Sequence, residues 1–538
     1  MGAAGGNCLD ASAKGRTISI TLPSQGYLNP LESYLRFDLG ITSKTSDVVC
    51  VAPRILNNVH TMFRRLRVLY GSLVIEDIQL YGALVRTLTN VAVEKEYQDA
   101  VGGVLEGMGS DATRGHLFAG DIRGSPNASG ANGISGVSAD EASISSEWTA
   151  ATAASADPAV GATTTWSLPI GGHSAVLKSV TVSTSSALKH TFTIQLASGL
   201  LTQQKLIPLK WLANQLTFEL ELEEPSMFLV TGVTSLVPTS NASGLATIGP
   251  ALDNAIVPPY YTAASTSTGA TYATTADTSN KSSLGYFLDN IYYVAEILEF
   301  DSTYDAAFFQ GMATGGVPLK FSSWHTHQHI LNGSNTIVTI QERARSVKSA
   351  FSIIRSRNDQ TATTFLSDPY WTYAGTATSS TTYWSEAGAG IDEFQWRIGG
   401  RYFPSQPVKC TNGGAEPLIE LQKALNLLGD YSLATPISVH NWYAPRGVFT
   451  IAGEFESTNG LEMSGINAEE LADLALIIKL NTAASFSNNT DLAKMYLTTF
   501  VHYDSLLIIR REYICFIILF SKSNFYSLLA NNVVELVQ

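Results

Sequence analysis

The sequence predicts an all-β protein built as two consecutive antiparallel sandwiches, and three observations carry that expectation. Alternating apolar and polar runs far outnumber helical periods, two long stretches of small polar residues interrupt them, and one closing pattern of strands occurs twice. The chain has 538 residues, more than one hydrophobic core normally serves, so two units of roughly 200 to 280 residues are expected.

In the first half, Arg16 to Leu22 sets Ile18 and Ile20 against Thr17, Ser19 and Thr21, and Tyr34 to Leu39 alternates in the same way. Arg67 to Tyr70, Gly71-Ser72 and Leu73 to Glu76 read as a hairpin whose two-residue turn requires glycine first. From Asp77 the period changes: Ile78, Tyr81, Leu84, Val85, Leu88 and Val91 fall on one helical face, with Asp77 as the expected cap. Residues near 103–165 and 232–283 are dominated by Gly, Ala, Ser, Thr, Asn and Asp and read as surface insertions. Strands resume at Thr191 to Leu196, Leu216 to Leu222 and Asn290 to Phe300.

The second half adds strands at Thr336 to Ile340, Val347 to Ile354, Phe394 to Ile398, Val448 to Phe455, Leu476 to Leu480 and Tyr496 to Ile509. Helical periods fall near Thr303 to Met312, Pro417 to Leu428 and Ala468 to Leu474. The sequence Leu216 to Leu222, polar loop, Tyr286 to Phe300 is echoed by Leu476 to Leu480, polar loop, Tyr496 to Arg510, and each copy would close one sandwich. The expected organisation is therefore an N-terminal arm (1–14), a first sandwich (15–301) carrying both insertions, a linker helix (302–317), a second sandwich (318–512) and a C-terminal tail (513–538). The tail opens on Tyr513 to Phe520, eight apolar residues against the roughly 20 that a membrane helix needs. It is expected outside the second sandwich, either as an arm docked under a neighbour or on an internal membrane, or as a translated non-coding segment.

Charged residues make up 15 % of the chain, against about 25 % in typical soluble proteins, which suits a surface covered by neighbouring subunits or draped in small-residue loops. A net charge of −13 excludes uniform coating of nucleic acid, so any nucleic-acid contact is local. Cys8, Cys50, Cys410 and Cys515 are widely spaced, form no CxxC pair and read as reduced thiols. No basic segment followed by an apolar run opens the chain, so no secretory signal is read there. Gly6 stands where a myristoylation motif wants Ser or Thr, and the five N-x-[ST] sequons are by-products of composition.

The sharpest chemical candidate is Trp324-His-Thr-His-Gln-His329, because His325, His327 and His329 project from one face of a strand. They are the candidate metal ligands, weighed against a polar strand face or an intersubunit contact that protonation would loosen. No HExxH, GxSxG, Walker loop or strand-led GxGxxG occurs, and Glu223-Glu224 reads as solvated loop charge. No catalytic residue and no cofactor is therefore assigned. Arg64, Arg65 and Arg67, with Arg343, Arg345, Arg355 and Arg357, read as salt-bridge partners or local genome contacts.

Several stretches resemble the double jelly-roll major capsid proteins of polinton-like viruses, virophages and related double-stranded DNA viruses. They are Arg64-Arg-Leu-Arg67 with Gly71 and Leu73-Val-Ile-Glu-Asp-Ile78 leading through Tyr81, Asp289 to Asp301 followed by Tyr304 and Pro318-Leu-Lys-Phe321, and the aromatic, Pro-rich run Phe394 to Pro407. The resemblance spans residues 15–512 through scattered motifs. It implies two eight-stranded antiparallel jelly rolls with short helices and long surface loops, in a homotrimer of pseudo-hexagonal outline that tiles an icosahedral shell. It also implies neighbouring capsomers, penton and minor capsid proteins as partners, in a virion assembled inside the host cell. The rival reading of the same residues is an extracellular carbohydrate-binding or carbohydrate-cleaving β-sandwich, disfavoured by the absent signal. A single-jelly-roll penton or adhesin is disfavoured by the doubled closing pattern.

Overall fold

The structure is a computed structural model. It describes residues 2–5, 16–43, 48–55, 58–99, 101–107, 179–182, 188–223, 229–232, 239–240, 246–247, 284–314, 316–331, 335–356, 371–374, 381–384, 391–410, 414–427, 437, 442, 449–456, 464–469, 474–480, 495–509 and 514–517.

The first half runs β1 (Gly2–Gly5), β2 (Thr17–Thr21), β3 (Tyr27–Ser43), β4 (Val48–Ile55), β5 (Phe63–Tyr70) and β6 (Leu73–Gln79), then helices α1 (Tyr81–Ala92), α2 (Lys95–Asp99) and α3 (Val101–Glu106). It continues through β7 (Ser179–Val182), β8 (Leu188–Ile194), β9 (Leu216–Leu222), β10 (Leu229–Gly232), β11 (Thr239–Ser240), β12 (Ala246–Thr247) and β13 (Leu284–Leu298). Helix α4 (Ser302–Thr314) leads into β14 (Val317–Ile330), β15 (Asn335–Ile340), β16 (Val347–Ser356), β17 (Trp371–Ala374), β18 (Thr381–Trp384), β19 (Ile391–Ile398) and β20 (Arg401–Lys409). After α5 (Ala415–Ala424) come β21 (Ile451–Glu454), β22 (Leu474–Leu480), β23 (Met495–Ile509) and β24 (Ile514–Ile517).

Four larger sheets form the framework, beside the three-stranded sheet β10-β4-β7 and the pairs β11-β12 and β17-β18. The first sandwich faces β1-β13-β3-β8 against β2-β9-β5-β6, and the second faces β14-β23-β16-β21 against β15-β22-β19-β20. Counting the eight framework strands of each in chain order, both sandwiches read 1-8-3-6 over 2-7-4-5, with antiparallel neighbours throughout. First and last strands lie side by side while successive strands cross between sheets. That is the jelly roll, formed twice. The doubled closing pattern of the sequence is the seventh and eighth strand of each roll: β9 with β13, and β22 with β23.

Alternation explains the layers. In β9 every second residue is buried, so Leu216, Phe218, Leu220 and Leu222 enter the core beside Ile18 and Ile20 of β2. Phe37 meets Phe63 edge to face across the two sheets, with ring centroids 5.9 Å apart. In the second roll Trp396 is wholly buried and donates from Nε1 to the Ala452 carbonyl at 3.1 Å. A Cβ at Gly453 would stand 2.6 Å from that Nε1, so only glycine lets β21 approach the indole.

The hairpin forms as read, with Tyr70 opposite Leu73 and Gly71 at φ 58°. Asp77 is not a helix cap. It stays in β6, where its carboxylate takes two 2.6 Å hydrogen bonds from Arg65, and α1 begins only after Leu80 at φ 51°. An adjacent-strand ion pair holds Asp77 in the sheet more strongly than a cap would draw it out. Helix α1 is buried nearly all round rather than on one stripe, because it is enclosed between the two cores.

Two expected termini change. Residues 1–14 are not simply an arm, because Gly2–Gly5 pair with Tyr292–Ala295 as the first framework strand. The tail is not wholly outside the second roll, because Ile514–Ile517 turn back and pair with Leu506–Ile509. Unpaired backbone along β23 beyond β16 offers the sheet edge that such a strand fills. The first insertion starts later than 103. Gly102 and Gly103 are buried in α3, and the Glu106 carboxylate lies 3.3 Å from Nε2 of the buried His60. Residues 108–165 lie outside the described residues, as does most of 232–283, where β11 and β12 pair as a short hairpin. The helical period expected at Ala468 to Leu474 ends in strand β22, and its middle lies outside the described residues.

Replacing 108–165 with a short Gly-Ser link is therefore expected to change stability by less than about 1 kcal/mol, since closure entropy moves only about 0.6 kcal/mol per doubling of length. Thermal melts of the two proteins check this, and loss of soluble folding would refute the reading as an insertion.

Candidate functional site at the junction of the two rolls

The two jelly rolls share a core. Leu319, Phe321, Ile353, Phe500, Leu507 and Ile509 of the second belong to the apolar cluster of the first, and Val91 of α1 belongs to that of the second. At the centre of the seam stands Glu76 of β6, 1 % exposed. Its carboxylate accepts from the Ser198 hydroxyl, from the Gly199 N–H at 2.8 Å and, across the seam, from the Ser323 hydroxyl at 2.6 Å. Burial pushes the Glu76 carboxyl up, and the hydroxyls of Ser198 and Ser323 pull it the other way. Alongside, the Thr326 hydroxyl donates to the Gln79 carbonyl at 2.7 Å. A Cβ on Gly199 would lie 1.7 Å from the Ser322 carbonyl oxygen, so the turn after β8 abuts the backbone of β14.

Helix α4 is pinned by a second cluster. Tyr27 donates to Asp305 at 2.9 Å and accepts from Trp211 Nε1 at 3.0 Å, and Lys210 forms an ion pair with the same Asp305. The Lys210 ammonium lies 5.2 Å from the Tyr27 ring centroid and 5.4 Å from that of Trp211. Lys210→Ala is expected to cost about 1–2 kcal/mol, by loss of two cation–π contacts and a partly exposed ion pair. Urea denaturation measures it, and a cost within 0.5 kcal/mol, the ordinary range of a surface substitution, would show that the cluster holds nothing.

The three histidines lie on β14, opposite Val501, Thr499 and Leu497 of β23. Two of them converge on a carboxylate that their spacing does not reveal. His325 Nδ1 is 3.1 Å and His327 Nε2 3.2 Å from the same Oε2 of Glu342, whose Oε1 accepts the N–H groups of Arg343 and Ala344 at 2.7 and 2.9 Å. Burial alone would raise the Glu342 carboxyl, but the hydrogen bonds from His325 and His327 outweigh it and hold the group well below the usual carboxylate range. His329 is not drawn into this pair; burial, then His327, lowers its imidazole. Among the described residues no group of three or more His, Cys, Asp or Glu side chains is arranged to hold a metal ion.

The arginine run is internally paired. Arg64 faces Glu221 at 3.8 Å, Arg65 faces Asp77 at 2.6 Å and Arg67 faces Glu219 at 2.6 Å, all within one sheet, and Arg345 meets Glu469 at 2.6 Å. Cys410 is a buried free thiol pushed up to about 12 by burial and nearby carboxylates. Spacing reached the histidines because period two is visible in sequence. It missed Glu76 and Glu342, because a carboxylate in a strand or loop carries no mark of the chain it will meet.

No protein-family model matches the chain, and no curated protein matches it in sequence. Among solved structures it is similar to the Faustovirus major capsid protein, at 10 % identity over 93 % of this chain and 89 % of that one, with a TM-score of 0.48. It is also similar to VP54 of PBCV-1, at 9 % identity over 96 % of both chains and a TM-score of 0.47. The mavirus major capsid protein covers all of this chain with 93 % of its own, at 10 % identity and a TM-score of 0.40.

Proposed function

We propose that the chain is a structural capsid subunit rather than an enzyme, forming homotrimers of pseudo-hexagonal outline that tile an icosahedral shell around a double-stranded DNA genome. The observation that carries this reading is the pair of jelly rolls with one strand order, joined through a shared core and a fully buried carboxylate. Two similar rolls fixed side by side make one rigid block with two-fold repetition of shape, and three such blocks give six similar corners. The motifs at Arg64 to Ile78 and Phe394 to Pro407 point the same way. Neighbouring capsomers, penton and minor capsid proteins are the proposed partners, in a virion capsid assembled inside the host cell. A local genome contact belongs to this reading, although Arg64, Arg65 and Arg67 already meet carboxylates.

Analytical ultracentrifugation with negative-stain imaging tests the proposal. A trimer of hexagonal outline is expected, with an obligate interface above about 2,000 Å². A stable folded monomer at micromolar concentration refutes it, and a monomer that also binds glycans favours the carbohydrate-binding sandwich.

A further inference from the structure

Among the described strands, β15 is the open edge of its sheet. It pairs only with β22, six residues in unbroken register from Asn335 opposite Lys479 to Ile340 opposite Leu474, and among the described residues no strand lies on its other side. Exposed edges in monomeric proteins are normally blunted by charge, proline or a bulge. None of these occurs here, and residues 321–341 contain no Asp, Glu, Lys, Arg or Pro. By contrast β20, the opposite edge of the same sheet, carries Arg401, Pro404, Pro407 and Lys409, and its register with β19 shifts between Phe394 and Trp396.

The surroundings of β15 are those of an acceptor. Val338 and Ile340 face the core, while Ile337 points outward at 58 % exposure and Ile330, at the end of β14, is 40 % exposed. Between the two strands runs a groove of about 620 Å³, lined by Gln328, His329 and Ile330 on one side and residues 335–339 on the other. The Nε2 atom of His329 is shielded from solvent there without a hydrogen-bond partner among the described residues. A shielded polar atom beside an open strand edge is the complement of a backbone amide.

A matching strand exists in the same chain. Strand β2 holds the equivalent place in the first roll, as second framework strand and edge of its sheet, and among the described residues it too pairs on one side only, with β9. Its sequence Thr17-Ile-Ser-Ile-Thr21 is uncharged and alternates, and Thr336-Ile-Val-Thr-Ile340 is likewise uncharged and built of β-branched residues. Outward it shows only Thr17, Ser19 and Thr21, small enough to lie beside Ile337.

We infer that β15 of one copy receives β2 of a second copy, which joins sheet β15-β22-β19-β20 of one molecule to sheet β2-β9-β5-β6 of the next. The inference rests on the reading of the chain as a shell subunit only in taking the partner to be a second copy. Each copy offers one donor edge and one acceptor edge, so the contact is head-to-tail and propagates around a ring or along a lattice.

Ile337→Lys and Ser19→Lys, made separately in the full chain, place one charge on each edge at exposed positions. Both variants are expected to keep the wild-type circular dichroism spectrum and to show lower mass than wild type by light scattering. Mixing them is expected to raise the mass above that of either variant alone, because the intact β15 of one variant meets the intact β2 of the other. A labelled peptide of residues 17–22 is expected to bind the Ile337→Lys protein at least ten-fold more weakly than the Ser19→Lys protein, whose acceptor edge is free and intact. Variants that assemble like wild type overturn the edge contact while leaving the capsid reading in place. A wild-type monomer overturns the capsid reading, and the peptide then decides the edge: equal binding to both variants, or none, overturns it. If either lysine variant fails to fold, Thr339→Glu and Thr17→Glu replace them with the same expectations.

Discussion

Glu76→Ala is expected to destabilise the protein by about 3 kcal/mol or more and to separate the unfolding of the two jelly rolls into two calorimetric transitions. The truncation leaves the Ser198 and Ser323 hydroxyls and the Gly199 N–H buried without their acceptor, and each such orphan costs about 1–3 kcal/mol. Because Ser323 belongs to the second roll and the other two donors to the first, the loss falls on the seam rather than on either core. Glu76→Gln keeps an acceptor oxygen and nearly the same volume, so it is expected to retain a single transition. Scanning calorimetry of the three proteins decides. A single transition for the alanine variant with a loss under about 1 kcal/mol would show that the apolar seam of Leu319, Phe321 and Leu507 couples the rolls without the carboxylate.

Acid is expected to strike a different carboxylate. The Glu342 carboxyl is held below its ordinary value by His325 and His327, so the stability it contributes is present above the unfolded value of about 4.3 and is lost as pH falls towards the lower folded value. Glu342→Ala is expected to cost about 2–3 kcal/mol near neutrality, since four hydrogen-bond donors lose their acceptor. Below about pH 4 the wild-type and variant curves should converge, because protonation removes from the wild type what the substitution has already removed. Denaturant titrations across the acid range measure the gap. A gap that does not shrink in acid would mean that Glu342 acts by packing and not by charge.

What the sequence disclosed follows from which interactions have a period. Strand alternation placed Ile18, Ile20 and the residues of β9 in a core, and the Gly71-Ser72 turn fixed the hairpin, because side-chain direction and left-handed backbone are local properties. The repeat of Leu216 to Leu222 and Leu476 to Leu480 showed where each roll closes. Strand β1 escaped because Gly-Ala-Ala-Gly has no alternation to read; its place is decided by the edge of β13. The helix onset at Tyr81 was misplaced by three residues, because the bond from Arg65 to Asp77 joins neighbouring strands and is silent in any helical window. The candidate site was half legible. Its histidines were visible, while Glu76 and Glu342 gain meaning only from Ser323 and from the return of the chain after β15.

The adjacency of first and last framework strands sets a clock on synthesis. Gly2–Gly5 must wait for Tyr292–Ala295, and Val317 must wait for Ile509. At a ribosomal rate of about 5–20 residues per second, roughly 15–60 s pass before the earliest strand of the first roll meets its neighbour. During that interval β3 lacks one side of its sheet, and β2, which must await β9, is an uncharged alternating segment in search of any edge. The nascent chain therefore carries β1 and β2 without their partners through most of the synthesis of the first roll, and its yield in a cell is governed by what shields them until β9 and β13 emerge.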